Sequence, residues 1–168
     1  EETAGIGGAA HLGNFKGTDT IAGIVAANKY YNSGVCGFSI PASEHSTMTS
    51  WNRENEVEAY RNMLTKYPSG LVACVSDSFD IFKACKHLWG DKLRYEVSKR
   101  DGVLVIRPDS GEPTEIVPKV LNILGEQFGF DTNTKGYKVL NPKVRVIQGD
   151  GIDFDSLSEI LNVVKQHG

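Results

Sequence analysis

Short apolar runs alternate along this chain with stripes of helical period, and polar residues follow nearly every run. Four runs read as strands: Val35 to Ile40, Gly70 to Val75, Val103 to Ile106 and Val144 to Ile147. Gly13 to Lys16 reads as a fifth, shorter one. The stripes between them mark helices with one buried face. Ile21, Ile24 and Val25 lie on a helix running to about residue 31, which Thr18 or Asp19 is placed to cap. A helical region is predicted from about 43 to 66, broken near Asn52, with Val57, Tyr60 and Leu64 on one face. Ser76-Asp77-Ser78 is placed to cap a helix carrying Ile81, Ala84, Cys85 and Leu88. Val117, Val120, Leu121 and Leu124 make another stripe. Leu157, Ile160, Leu161 and Val164 make the last, behind a capping box predicted from Ser156 and Glu159. Phe130 to Lys143 is polar, with Gly136 and Pro142, and reads as a surface excursion.

Strand–helix alternation implies a mainly parallel sheet, because the usual connection between parallel strands is a right-handed helical crossover. Two architectures compete. An open doubly wound sheet of five strands would be complete at this length. A (β/α)8 barrel takes about 250 residues, so this chain would form only part of one. With no linker or repeat in view, residues 1–168 read as a single domain. Glu1-Glu2-Thr3-Ala4-Gly5 reads like the interior of something longer.

Composition narrows the class. The apolar fraction is 40% and the charged fraction 23%, which favours a globular chain over a disordered one. A net charge of −3 provides no basic footprint for nucleic acid. No apolar run approaches the roughly 20 residues of a membrane helix, so neither nucleic acid nor membrane is an expected partner. Cys36, Cys74 and Cys85 make an odd count without a C-x-x-C, which points to reduced thiols and a cytoplasmic setting.

In parallel α/β folds, ligands bind where strands end. Here the ends carry Lys16-Gly17-Thr18-Asp19, Pro41-Ala42-Ser43-Glu44-His45-Ser46, Ser76-Asp77-Ser78-Phe79-Asp80, Arg107-Pro108-Asp109 and Gly149-Asp150. Singly, each has a plain structural reading. Asp19, Asp77 and Asp80 are placed as helix caps, Arg107 with Asp109 as a weak local ion pair, and His45 as an ordinary histidine. Jointly they suit a hydrated Mg2+ carrying a polyphosphate, since Mg2+ takes one or two carboxylates plus phosphate oxygens. Glycines around Asp150 let backbone approach a sugar or phosphate. There is no Walker A pattern and no G-x-G-x-x-G fingerprint.

Five motifs, in this order, closely resemble the nicotinamide branch of the nicotinate phosphoribosyltransferase family. They are His11-Leu12-Gly13-Asn14-Phe15-Lys16-Gly17-Thr18-Asp19-Thr20, Pro41-Ala42-Ser43-Glu44-His45-Ser46-Thr47, Val75-Ser76-Asp77-Ser78-Phe79-Asp80, Ile106-Arg107-Pro108-Asp109-Ser110-Gly111 and Val146-Ile147-Gln148-Gly149-Asp150-Gly151. The resemblance implies an α/β fold that is a partial, irregular (β/α) barrel of the type II phosphoribosyltransferase kind, with mostly parallel strands. It implies transfer of a phosphoribosyl group from 5-phosphoribosyl 1-pyrophosphate to nicotinamide, giving nicotinamide mononucleotide and pyrophosphate in NAD salvage. It implies Mg2+, optional ATP coupling through a phosphohistidine, and a homodimer. By the same resemblance Asp19 holds the nicotinamide amide, and His45 is the phosphorylated histidine, supported by Glu44. Arg107 donates toward the amide oxygen and the phosphoribosyl side, and His45, Arg107 and Asp109 form the catalytic set. Asp80 and Asp109 face pyrophosphate and its Mg2+, Gly149 and Asp150 face the ribose hydroxyls, and Ser76 lies near that shell.

The family's aromatic platform would fall before Glu1 and its glycine-rich phosphate loop beyond Gly168. The chain is therefore expected to be the central part of the barrel and inactive alone. A rival reading is a non-catalytic α/β binding or structural module derived from that barrel. A flavodoxin-like or receiver-like open sheet is the remaining alternative.

Overall fold

The computed structural model describes residues 1–168. Packing divides them into two compact units, Glu1–Ile40 and Pro41–Gly168.

The first unit is a helix pair. Helices α1 (Glu2–Leu12) and α2 (Ile21–Tyr31) approach so closely at Gly8 and Gly23 that a Cβ on either would strike the other's backbone. Helix α1 has no apolar stripe, and its sequence pattern predicts nothing; small residues replace the stripe. Neither Thr18 nor Asp19 caps α2. Its N-cap is Thr20, without a side-chain bond, and Thr18 instead accepts from the Thr20 N–H. The two strands expected here shrink to one parallel bridge, Gly17 to Phe38. Val35 and Phe38 are both largely exposed, so extending the ladder would bury little.

The second unit is built on a parallel sheet in the order β1–β2–β5. Its strands are β1 (Ser69–Val75), β2 (Asp101–Arg107) and β5 (Val144–Val146). Ala42 adds a parallel bridge to Ala73 of β1. This is the parallel α/β arrangement that the alternation predicts, with three strands rather than five. Before β1 come α3 (His45–Thr49), a 3-10 turn (Arg53–Asn55) and α4 (Glu56–Lys66). The expected break falls at Asn52, where φ is 64° and ψ is 163°. Helix α5 (Ile81–Lys83), a π-helical stretch (Ala84–Lys92) and α6 (Arg94–Lys99) make the crossover to β2.

Helix α7 (Pro113–Phe128) follows β2 and buries Val117, Val120, Leu124 and Phe128. The excursion after it is an antiparallel hairpin of β3 (Phe130–Thr132) and β4 (Lys138–Leu140). Helix α8 (Phe154–Gln166) closes the chain. Its capping box pairs Asp153 with Ser156, not Ser156 with Glu159. Asp153 is the residue with extended backbone before the first turn, and the N-cap oxygen must come from there.

Helical and strand stripes meet in one core. Val72, Cys74 and Val75 of β1, with Leu104 and Ile106 of β2, pack with Tyr60, Trp89, Leu93, Val120 and Leu124. Trp89 and Tyr60 have no exposure. Each large side chain buried this fully contributes about 1.5–3 kcal/mol, so the core rather than local propensity holds the strands.

The amino-terminal edge of the sheet is clamped by Arg100. Its guanidinium donates to the carbonyls of Tyr67 (2.8 Å), Ser69 (2.8 Å), Gly70 (2.6 Å) and Val103 (3.3 Å). Lys143 Nζ donates to the Arg100 carbonyl at 2.6 Å. Gly102 has to be glycine, because a Cβ there would run into the Gly70 backbone and the Arg100 guanidinium. The opposite edge carries the polar residues.

Candidate functional site

Parallel registration brings four chain segments to one rim. Ser43 follows the Ala42 bridge, Ser76 follows β1, Pro108 follows β2 and Ile147 follows β5. The Ser43 hydroxyl accepts from the Val75 N–H at 2.9 Å, and the Ser76 N–H donates to the Arg107 carbonyl at 3.1 Å. These bonds lock the first three segments together just below the polar residues.

His45 opens α3 with Glu44 as its N-cap. The Glu44 carboxylate accepts the His45 backbone N–H at 2.9 Å and lies 3.4 Å from Nδ1. That backbone bond is the main reason the Glu44 carboxyl sits below its ordinary range, with Arg107 adding to it. His45 Nε2 lies 2.9 Å from Oδ1 of Asp77. Oδ2 of Asp77 accepts the Asp109 N–H at 3.0 Å and the Ser110 hydroxyl. The Asp77 side chain is only 4% exposed. Burial by itself would raise its carboxyl, but the bonds from Ser110, His45 and the Asp109 N–H outweigh that and hold it below the ordinary range. A carboxylate only accepts, so the hydrogen bond to Asp77 is one that His45 donates from Nε2–H.

Arg107 completes the cluster. Its Nη2 lies 3.7 Å from Glu44 and 3.7 Å from Asp109, while Asp109 is 3.9 Å from His45 Nδ1. Arg107 therefore bridges two carboxylates loosely, adding Glu44 to the local pair with Asp109 of the plain reading. Three side-chain atoms are buried without a hydrogen-bond partner in the protein: Arg107 Nε, Ser78 Oγ and Gln148 Oε1. They belong to the segments ending β2, β1 and β5 respectively. Buried polar groups are seldom left unpaired, because each costs about 1–3 kcal/mol.

The remaining expected residues fall as follows. Ser76 is fully buried below the rim, where its hydroxyl serves Cys74 and Trp89. Asp80 is exposed and caps α5 through the Lys83 N–H at 3.0 Å, so the cap after β1 is Asp80 and not the Ser76–Ser78 segment. Gly149 and Asp150 are exposed on the loop after β5. Asp19 lies in the first unit, where it accepts from the Ser39 hydroxyl. Asp77 and Ser110 are the residues that sequence reasoning missed. Asp77 sits in a motif whose expected duty was capping, and nothing in the spacing tells a cap from a histidine partner. No group of three or more His, Cys, Asp or Glu side chains is gathered to hold a metal ion. No helix is long and apolar enough to cross a membrane.

A parallel sheet that gathers a histidine, an arginine and carboxylates at its strand ends has the form of an α/β ligand-binding rim. The chain belongs to the nicotinate phosphoribosyltransferase (NAPRTase) family, whose model matches residues 1–168. It is 54% identical over 168 residues to the nicotinamide phosphoribosyltransferase of Xanthomonas campestris pv. campestris, covering 99% of this chain and 36% of that protein. The nicotinamide phosphoribosyltransferases of Acinetobacter baylyi and Mycoplasma pneumoniae are 35% and 34% identical, with 96% and 95% of this chain covered. The chain spans 36% of the length of each of these relatives.

Proposed function

We propose that this chain carries part of the machinery that transfers a phosphoribosyl group from 5-phosphoribosyl 1-pyrophosphate to nicotinamide, forming nicotinamide mononucleotide and pyrophosphate. The observation that carries the reading is the rim itself, where His45, Asp77, Arg107 and Asp109 converge at parallel strand ends in a chain of this family. The sheet is read as a segment of an irregular (β/α) barrel.

Transfer needs a leaving pyrophosphate to be neutralised while positive charge develops on the ribose carbon. Arg107, with an unpartnered buried N–H, supplies a fixed cation for that purpose. Mg2+ would neutralise further charge on the pyrophosphate. One or two carboxylates suffice for an ion bound mainly through phosphate oxygens, and Asp80 and Asp109 are the residues assigned to it. Gly149 and Asp150 are assigned to the ribose hydroxyls. Asp19 is assigned on the resemblance to the nicotinamide amide. A carboxylate accepts from an amide NH2 and repels the carboxylate of nicotinate, which separates the two bases.

His45 is assigned the ATP-coupled step. Because Nε2–H is held by Asp77, the lone pair on Nδ1 is the nucleophile. Nδ1 attacks the γ-phosphorus of ATP, the bond to the bridging oxygen breaks, and ADP leaves with that electron pair. Glu44 and Asp109 lie beside Nδ1, and Arg107, which pairs with both, would neutralise charge on the phosphoryl group. A cytoplasmic homodimer is the proposed setting.

Titration calorimetry with nicotinamide, nicotinate and 5-phosphoribosyl 1-pyrophosphate plus Mg2+ tests the reading. Nicotinamide is expected to bind more tightly than nicotinate, and Asp19→Asn is expected to narrow that gap. Equal binding of the two bases, or an unchanged gap in Asp19→Asn, would overturn the assignment.

A further inference from the structure

We propose that Trp89 is a positioning residue for His45, acting through Ser76 and Asp77. The inference rests on the reading of His45 as the reacting histidine.

Trp89 is delivered by the π-helical stretch Ala84–Lys92, in which the wider turn reaches the Leu93 N–H back to the Leu88 carbonyl. Wide turns of this kind are rare and concentrate at functional sites, because the extra residue re-aims the side chains after it. Here the re-aimed side chain is fully buried, with its ring stacked on Tyr60 at 4.3 Å between centroids. The Tyr60 hydroxyl donates to Glu56 at 2.8 Å, so the ring beneath the indole is itself held at its far end.

The indole N–H donates to Ser76 Oγ at 3.0 Å. A buried tryptophan needs only some acceptor, and a nearby carbonyl would serve. The acceptor used instead is the side chain next to Asp77. Ser76 is then held three ways: by the indole, by its own hydroxyl on the Cys74 carbonyl at 3.0 Å, and by its N–H on the Arg107 carbonyl at 3.1 Å. With Ser76 immobile, the Asp77 carboxylate meets His45 Nε2 at 2.9 Å. A displacement of about 1 Å would take that contact out of hydrogen-bond range. The π-helical stretch thus sets which nitrogen of His45 keeps its proton.

The test is side-chain 15N–1H NMR of His45 in the full 168-residue chain. An Nε2–H donated to a carboxylate resonates downfield and exchanges slowly, and Asp77→Asn identifies it by its loss. Trp89→Phe keeps an aromatic ring on Tyr60 and removes the indole donor. Ser76→Ala removes the acceptor. Each is expected to abolish the downfield resonance while the far-UV circular dichroism is kept, and the double variant is expected to add nothing. If Trp89→Phe does not fold, Ser76→Ala decides alone. A resonance unchanged in the variants that fold, or absent from the parent, overturns the proposal. The readout involves no substrate, so its failure is separate from failure of the phosphoribosyl-transfer reading, which the calorimetry judges.

Discussion

Asp77→Asn is expected to destabilise the second unit by about 2–3 kcal/mol near neutral pH, in a pH-dependent way. Asp77 accepts three donors, from His45, the Asp109 backbone and Ser110. An asparagine has one carbonyl oxygen to offer. If that oxygen keeps the two donors on the Asp109–Ser110 side, its NH2 faces His45 Nε2 and has a proton to give, not a lone pair to receive one. One charge-assisted bond is lost, and the other two fall from about 1.5–3 kcal/mol each toward the roughly 1 kcal/mol of a neutral pair. Relief of the burial cost of the charge offsets part of this.

The pH dependence has a definite sign. The Asp77 carboxyl is lower in the folded chain than its unfolded value of about 3.9, so its contribution is present in full above about pH 5 and is lost as pH falls through the folded value. Urea unfolding followed by tryptophan fluorescence, stepped from about pH 7 down to the lowest pH at which the parent unfolds cooperatively, measures the gap. A gap under about 0.5 kcal/mol at neutral pH, or one that does not narrow on acidification, would refute the reasoning.

Glu56→Gln carries the opposite sign. Burial raises the Glu56 carboxyl, so its charge costs stability as pH rises past about 4.3; the variant should match or exceed the parent by up to about 1 kcal/mol near neutral pH and lose that advantage in acid, read from thermal melts. Asn52→Gly should stabilise by about 1 kcal/mol in urea unfolding, because a φ of 64° with ψ of 163° lies in a region that glycine alone enters freely. Asn52→Ala should not stabilise. His45→Ala should abolish transfer of labelled phosphate from ATP to the protein, while His45→Gln distinguishes loss of the nucleophile from loss of the side chain's volume.

Much of the second unit is legible in the pattern of apolar residues. The runs at Gly70–Val75 and Val103–Ile106 become β1 and β2 because both are covered by helices whose stripes are equally clear. The first unit is not legible in the same way. Helix α1 packs through glycine and alanine, which carry no periodic signal, and its neighbouring apolar runs stay mostly exposed. At the rim, Arg107, Asp109, Glu44 and His45 meet, as the convergence of strand ends predicts. Asp77 was hidden because cap and histidine partner share one residue type and one position after a strand. The link from Trp89 to Ser76 was hidden because an α-helical period does not anticipate a π turn.

The Arg100 clamp sits where a long loop has to close. Ser69 pairs with Asp101, so β1 and β2 form their first ladder contact only after a loop of some thirty residues has closed. That closure costs chain entropy before any ladder bond offsets it. Arg100 grips the Ser69 and Gly70 carbonyls at the mouth of that loop. The clamp and the candidate site thus occupy opposite ends of the same two strands. Sequence at the rim can therefore change without loosening the bonds that Arg100 makes at the far end.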